Sequence, residues 1–132
     1  MQTLLIFLSL LCGGCPELKT GDLLFQVEGS SEFSSAISAS TSTDEDISFV
    51  HVGILTVDGM GAMSVIEASP SKGVQQTTLL DFISDSPKID GEPGIVVKRI
   101  NYDFPAEEAA TRALSHIGEP YDWWYLPDNG KM

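Results

Sequence analysis

Phe49-Val50-His51-Val52-Gly53-Ile54-Leu55-Thr56-Val57 is the stretch that decides how this chain folds. It is rich in β-branched residues and short in apolar content for a helix, so it reads as a strand. Period-two alternation puts His51 on a face with Phe49, Gly53 and Leu55, while Val50, Val52 and Ile54 point the other way. Asp58-Gly59 is a turn signal, and the segment after it, AMSVIEA at 62–68, reads as a second strand. The two form an antiparallel hairpin with a loop near residues 58–61. In the second strand Val65 and Glu67 share a face.

His51 and Glu67 are the chemically informative pair. A carboxylate with apolar neighbours on both sides is costly to bury alone, so Glu67 calls for a partner. The hairpin can bring His51 opposite it. The carboxylate would then accept the proton on one imidazole nitrogen, fix the tautomer and raise the basicity of the other, as in a nucleophile, base and orienter triad. A structural pair that merely satisfies two buried groups has the same spacing. Spacing alone leaves both open.

Outward from the hairpin, Lys19-Thr20-Gly21-Asp22 is a turn before a strand at 23–27. Residues 29–46 are rich in Ser and Thr, with Phe33, Ala36, Ile37 and Ala39 at helix-like spacing, which predicts a short helix and then an acidic loop. After a turn at 69–73 come a short strand at 74–77 and a short helix at 78–83. Residues 86–94 carry prolines and glycines and read as loop, and 95–100 (IVVKRI) as a strand. Pro105, Glu107 and Glu108 open a helix that Gly118 closes, lined by Ala110, Ala113, Leu114 and Ile117. An irregular aromatic tail follows: Tyr121, Trp123, Trp124 and Tyr125.

Composition narrows the classes. The 132 residues include 19 acidic against 7 basic side chains, a net charge of −12, which argues against nucleic acid as a partner. Apolar residues at 42% allow a core, so the chain reads as one small domain. The acidic surface is a solvated face. No glycine-rich phosphate loop or metal-ligand cluster appears, and no cofactor is expected. The only cysteines are Cys12 and Cys15. They end an apolar run at 4–11, too short to span a bilayer. This reads as a secretory signal over residues 1–17, and Cys15 after Gly13-Gly14 resembles a lipobox lipidation site. The expected location is therefore the bacterial periplasm or a membrane-anchored lipoprotein, with the membrane met only through such an anchor. Neither cysteine would then serve chemistry in the mature domain, residues 18–132.

Four motifs in order carry a resemblance: Gly21-Asp22-Leu23-Leu24-Phe25; His51-Val52-Gly53-Ile54; Val65-Ile66-Glu67-Ala68 with Gly73-Val74; and Gly118-Glu119-Pro120-Tyr121-Asp122. Together they resemble the YiiX/YebB-like hydrolases, circularly permuted members of the NlpC-type papain-like cysteine hydrolase superfamily. The resemblance implies an α+β fold, an antiparallel sheet with flanking helices. It also implies that His51 is the general base and Glu67 its orienter. Asp22, Tyr121 and Trp123 are expected to bind substrate, a peptide, amide or acyl compound.

The family's nucleophile does not map. It is a cysteine at the start of a helix after the tyrosine and aspartate segment, and this sequence stops at Asn129-Gly130-Lys131-Met132 before such a run. Ser115 does not sit in a nucleophile-like context. The domain is expected to be incomplete at its C-terminus, as a truncated product with an exposed apolar patch or as a compact relative without catalysis. Two functional expectations follow. One is an exported cysteine hydrolase of cell-wall peptides or related small substrates, with base and orienter in this chain. The other is a non-catalytic ligand-binding module, with Trp123, Trp124 and Tyr125 as an apolar or sugar-stacking wall, or an inactive fragment.

Overall fold

The computed structural model describes residues 2–4, 17–28, 48–100 and 103–124. The strands are β1 (Gln2–Leu4), β2 (Leu23–Glu28), β3 (Ser48–Val57), β4 (Met63–Ser69), β5 (Gly73–Thr78), β6 (Lys88–Ile89), β7 (Glu92–Pro93) and β8 (Ile95–Arg99). The helices are α1 (Leu79–Ser84) and α2 (Ala106–Ser115). Six strands form one sheet in the order β1-β8-β2-β3-β4-β5, with every neighbouring pair antiparallel. The architecture is α+β, as expected. The segment read as a helix and acidic loop before β3 lies outside the described residues, as do Cys12, Cys15 and Tyr125. Of the expected leader only β1, paired along β8, and Glu17 are described.

The β3–β4 hairpin forms where the alternation placed it. Asp58 closes its loop: Oδ1 accepts hydrogen bonds from the backbone N–H groups of Met60 and Ala62 at 2.8 and 2.9 Å. One sheet face is built by Leu24, Leu55, Val65 and Val97, which pack with Phe82 from α1 into the main core. Each of these five side chains is at least 98% buried and stabilises the fold by about 1.5–3 kcal/mol. Thr78 caps α1 by accepting from Asp81 N–H at 3.1 Å, and the six-residue helix then lays Phe82 and Ile83 inward. On the opposite face Val27, Val96 and Ile89 form a second cluster with Phe25 beside it.

Two expectations are corrected. Strict alternation grouped Phe49 with His51, yet the β2–β3 register slips between Gln26/Val27, so that Gln26 faces His51 while Val27 faces Phe49. The extra residue, Val50, is a β-bulge that reverses the facing of the strand before it. Phe49 accordingly stacks edge-on against Phe25 at 5.1 Å, with the Lys98 ammonium over both rings. The second correction concerns residues 86–94. They are not wholly loop: β6 and β7 pair through Asp90-Gly91, both at positive φ (53° and 85°). That is the backbone of a two-residue hairpin turn, which an Asp-Gly pair adopts readily.

Candidate active site

β3 and β4 bring His51 and Glu67 together on the face that carries α1. Glu67 stands directly opposite Gly53, so the histidine reaches it diagonally, two residues along the neighbouring strand. His51 Nε2 lies 2.5 Å from Glu67 Oε2, with the imidazole 23% and the carboxylate 10% exposed. Glu67 Oε1 accepts from Gln75 Nε2 at 3.0 Å and from the Thr77 hydroxyl at 3.2 Å, both on β5. The His51 hydrogen bond lowers the Glu67 pKa most; partial burial opposes it, and the charge of His51 and the donors on Thr77 and Gln75 add to the lowering. An ionised carboxylate only accepts, which assigns the imidazole proton to Nε2 and leaves the lone pair on Nδ1. Among the described residues Nδ1 has no hydrogen-bond partner. It is the nitrogen able to take a proton from another group.

The surroundings fix the ring. Phe82 packs against the imidazole with centroids 5.8 Å apart and planes tilted by 32°. It reaches that place because Gly53 has no side chain: a Cβ there would collide with Val65 and come within 3.2 Å of the Phe82 ring. Gln26, opposite His51 on β2 and 7% exposed, donates from Nε2 to the Phe82 carbonyl at 2.9 Å and ties α1 to the sheet. Sequence reasoning missed Gln26, Gln75 and Thr77. The alternation of Gln75 and Thr77 was visible, but their register against Glu67 was not.

The other expected site residues are distributed differently. Asp22 is 1% exposed, and Arg99 grips both its oxygens through Nε at 2.6 Å and an η-nitrogen at 2.7 Å. Oδ2 also accepts from Lys19 N–H at 2.8 Å. That hydrogen bonding by Asp22, helped by its charge and that of Glu17, raises the Arg99 pKa against partial burial. Asp22 lies four residues before Gln26, roughly 13 Å along the strand from the His51 row. The structure therefore does not bring it to His51 and Glu67.

Tyr121 and Trp123 lie on the tail after α2. Val74 N–H donates to the Glu119 carbonyl and Gly118 N–H to the Val74 carbonyl, both at 2.9 Å, so the tail is bound to the outer edge of β5 next to Gln75. Gly73, at φ +72°, lets the Glu119 carbonyl sit where a Cβ would be. Tyr121 and Trp123 meet edge to face at 5.2 Å, while Trp123 and Trp124 are 64% and 75% exposed. Asp122 is buried and accepts from Trp124 N–H at 3.0 Å. Ser115 donates to the Arg112 carbonyl, as a helix-end serine does. Among the described residues no cluster of three metal-ligating side chains occurs, and no helix is long and apolar enough to cross a membrane.

A histidine held by a carboxylate through one nitrogen and packed against an aromatic ring is an arrangement that a base and its orienter in a nucleophilic hydrolase would share. The sequence agrees with that class. Residues 17–132 match the family model described as permuted papain-like amidase enzyme, YaeF/YiiX, C92 family. The chain belongs to this family, and its sheet and helices are the permuted papain-like α+β fold. No curated protein and no solved structure matches the chain.

Proposed function

We propose that this chain supplies the general base and its orienting acid to an exported papain-like cysteine amidase or peptidase, which cleaves an amide bond in a cell-wall peptide or a related small amide or acyl substrate. The observation that carries the reading is the His51–Glu67 contact, with Nδ1 unpartnered among the described residues. His51 Nδ1 takes the thiol proton, and the thiolate attacks the carbonyl carbon. The imidazolium returns the proton to the leaving amine as the C–N bond breaks. Water, deprotonated by the same nitrogen, then releases the acid and regenerates the thiol. Residues 16–132 contain no cysteine, so the thiol in this scheme comes from outside that span. The apolar run at 4–11 supports export, and Tyr121 with Trp123 supplies a wall for substrate at the β5 edge.

The test is to join the chain to the cysteine-bearing helix of a family member and to follow thiol-dependent amide hydrolysis. His51→Ala is expected to lower the rate by about 10²–10⁴-fold. An undiminished rate in that variant overturns the assignment of the base. The exposed Trp123 and Trp124 favour a second reading, a module that binds a peptide, glycan or lipid without cleaving it. Binding by the chain as it stands, lost in Trp123→Ala with the fold intact, would support it.

A further inference from the structure

Glu67 makes three hydrogen bonds, and only one of them goes to His51. The other two converge on the opposite oxygen from Gln75 and Thr77, at alternate positions of β5 that share a face. Either side chain could have been apolar without loss of sheet pairing, because the strand's backbone makes the ladder and Thr77 stands opposite buried Val65. Both instead bring a donor to Oε1. A carboxylate with one oxygen fixed by two donors cannot rotate about its last bond, and its second oxygen is held toward His51 Nε2.

We infer that Gln75 and Thr77 are positioning residues for the base: a clamp on β5 that keeps Glu67 ionised and aimed, so that the His51 proton stays on Nε2 and the lone pair stays on Nδ1. The functional meaning of the clamp rests on His51 being the base, whereas its existence does not. The groups that face Glu67 are His51 from β3 and the uncharged Gln75 and Thr77 from β5, while α1, packed on the same face, contributes apolar Phe82. Loss of the two donors removes stabilisation of the charged carboxylate and frees its rotation. Its pKa then rises and the tautomer preference of His51 falls. The lowering of the Glu67 pKa by both side chains agrees with this direction.

The experiment uses the full chain, labelled for NMR, as wild type, Gln75→Met, Thr77→Val, the double variant and the conservative Thr77→Ser. The ¹³C shift of the Glu67 carboxyl reports its titration midpoint, and imidazole ¹⁵N shifts report which nitrogen of His51 carries the proton. In the double variant the midpoint should move up, because two donors to the charged form are lost. The Nε2-protonated fraction of neutral His51 should fall, each single variant should show part of both changes, and Thr77→Ser should restore the wild-type values. An unchanged midpoint and an unchanged tautomer ratio in the single variants, with native amide shifts along β3 and β4, overturn the clamp. Because these readouts need no catalysis, they stay separate from the hydrolysis test: an active His51→Ala enzyme would remove the base and leave the clamp measured.

Discussion

The sheet holds two acid–base pairs that look alike on paper and differ in what they leave open. At one end Asp22 and Arg99 are locked in a two-pronged contact, with the carboxylate buried and a further bond from Lys19 N–H. At the other end Glu67 is held as firmly, by His51, Gln75 and Thr77, but its partner keeps a nitrogen without a bond to any described residue. Both acids lie in strands or strand-leading turns, and both satisfy the rule that a buried carboxylate needs partners. The lesson lies in the partner. A guanidinium stays protonated and can do no proton transfer at neutral pH, so Asp22–Arg99 is a tie between the start of β2 and the end of β8. An imidazole bound on one side still has a second, exchangeable side.

The largest expected effect breaks the closed pair. Asp22→Ala leaves the Arg99 guanidinium with only the Glu17 carbonyl as an acceptor and takes the acceptor from Lys19 N–H, and should destabilise the fold by about 3 kcal/mol in urea unfolding. The comparison predicts that His51 tautomer populations are unchanged in this variant under native conditions. A shift there would mean that the two ends are coupled.

Next comes Gly53→Ala, which strikes the open pair through packing. The added methyl has no room between Val65 and Phe82, so α1 must move or the strand must bend. A loss of about 1–3 kcal/mol is expected from overpacking. Ring-current shifts of His51 should change together with it, because Phe82 packs against both Gly53 and the imidazole. Stability lost without any movement of the His51 resonances would detach the aromatic wall from the site.

How much of this was legible in the sequence follows from the range of each interaction. The β3–β4 hairpin was, since alternation and the Asp58-Gly59 turn are local signals, and with it the meeting of His51 and Glu67. The bulge at Val50 was not. It depends on how β2 pairs with β3 across a segment of chain whose length says nothing about register, and it moves Phe49 to the other face. The β6–β7 hairpin had a readable signal in Asp90-Gly91, masked by prolines on either side of it. Asp22 looked like a site residue because its motif is shared with a family, but its partner lies 77 positions away, beyond any local pattern. Gln75 and Thr77 needed the β4–β5 register, set by the turn that leads into Gly73.

The smallest expected effect sharpens the comparison by pH. Glu67→Gln keeps the shape of the side chain and removes its charge, so its cost should be modest at neutral pH and should vanish in acid. In the folded protein the Glu67 pKa lies below its ordinary value, chiefly because His51 bonds to the charged form. A group shifted in that direction contributes stability above its unfolded-state pKa, and the contribution is lost as pH falls through the folded-state value. The gap in unfolding free energy between wild type and Glu67→Gln should therefore be widest above the ordinary glutamate range and should close as the pH is lowered through it. Urea titrations at a series of pH values measure that gap. A gap that widens toward acid would mean that the charged carboxylate is not the form His51 binds, and the proton would then belong on the other nitrogen.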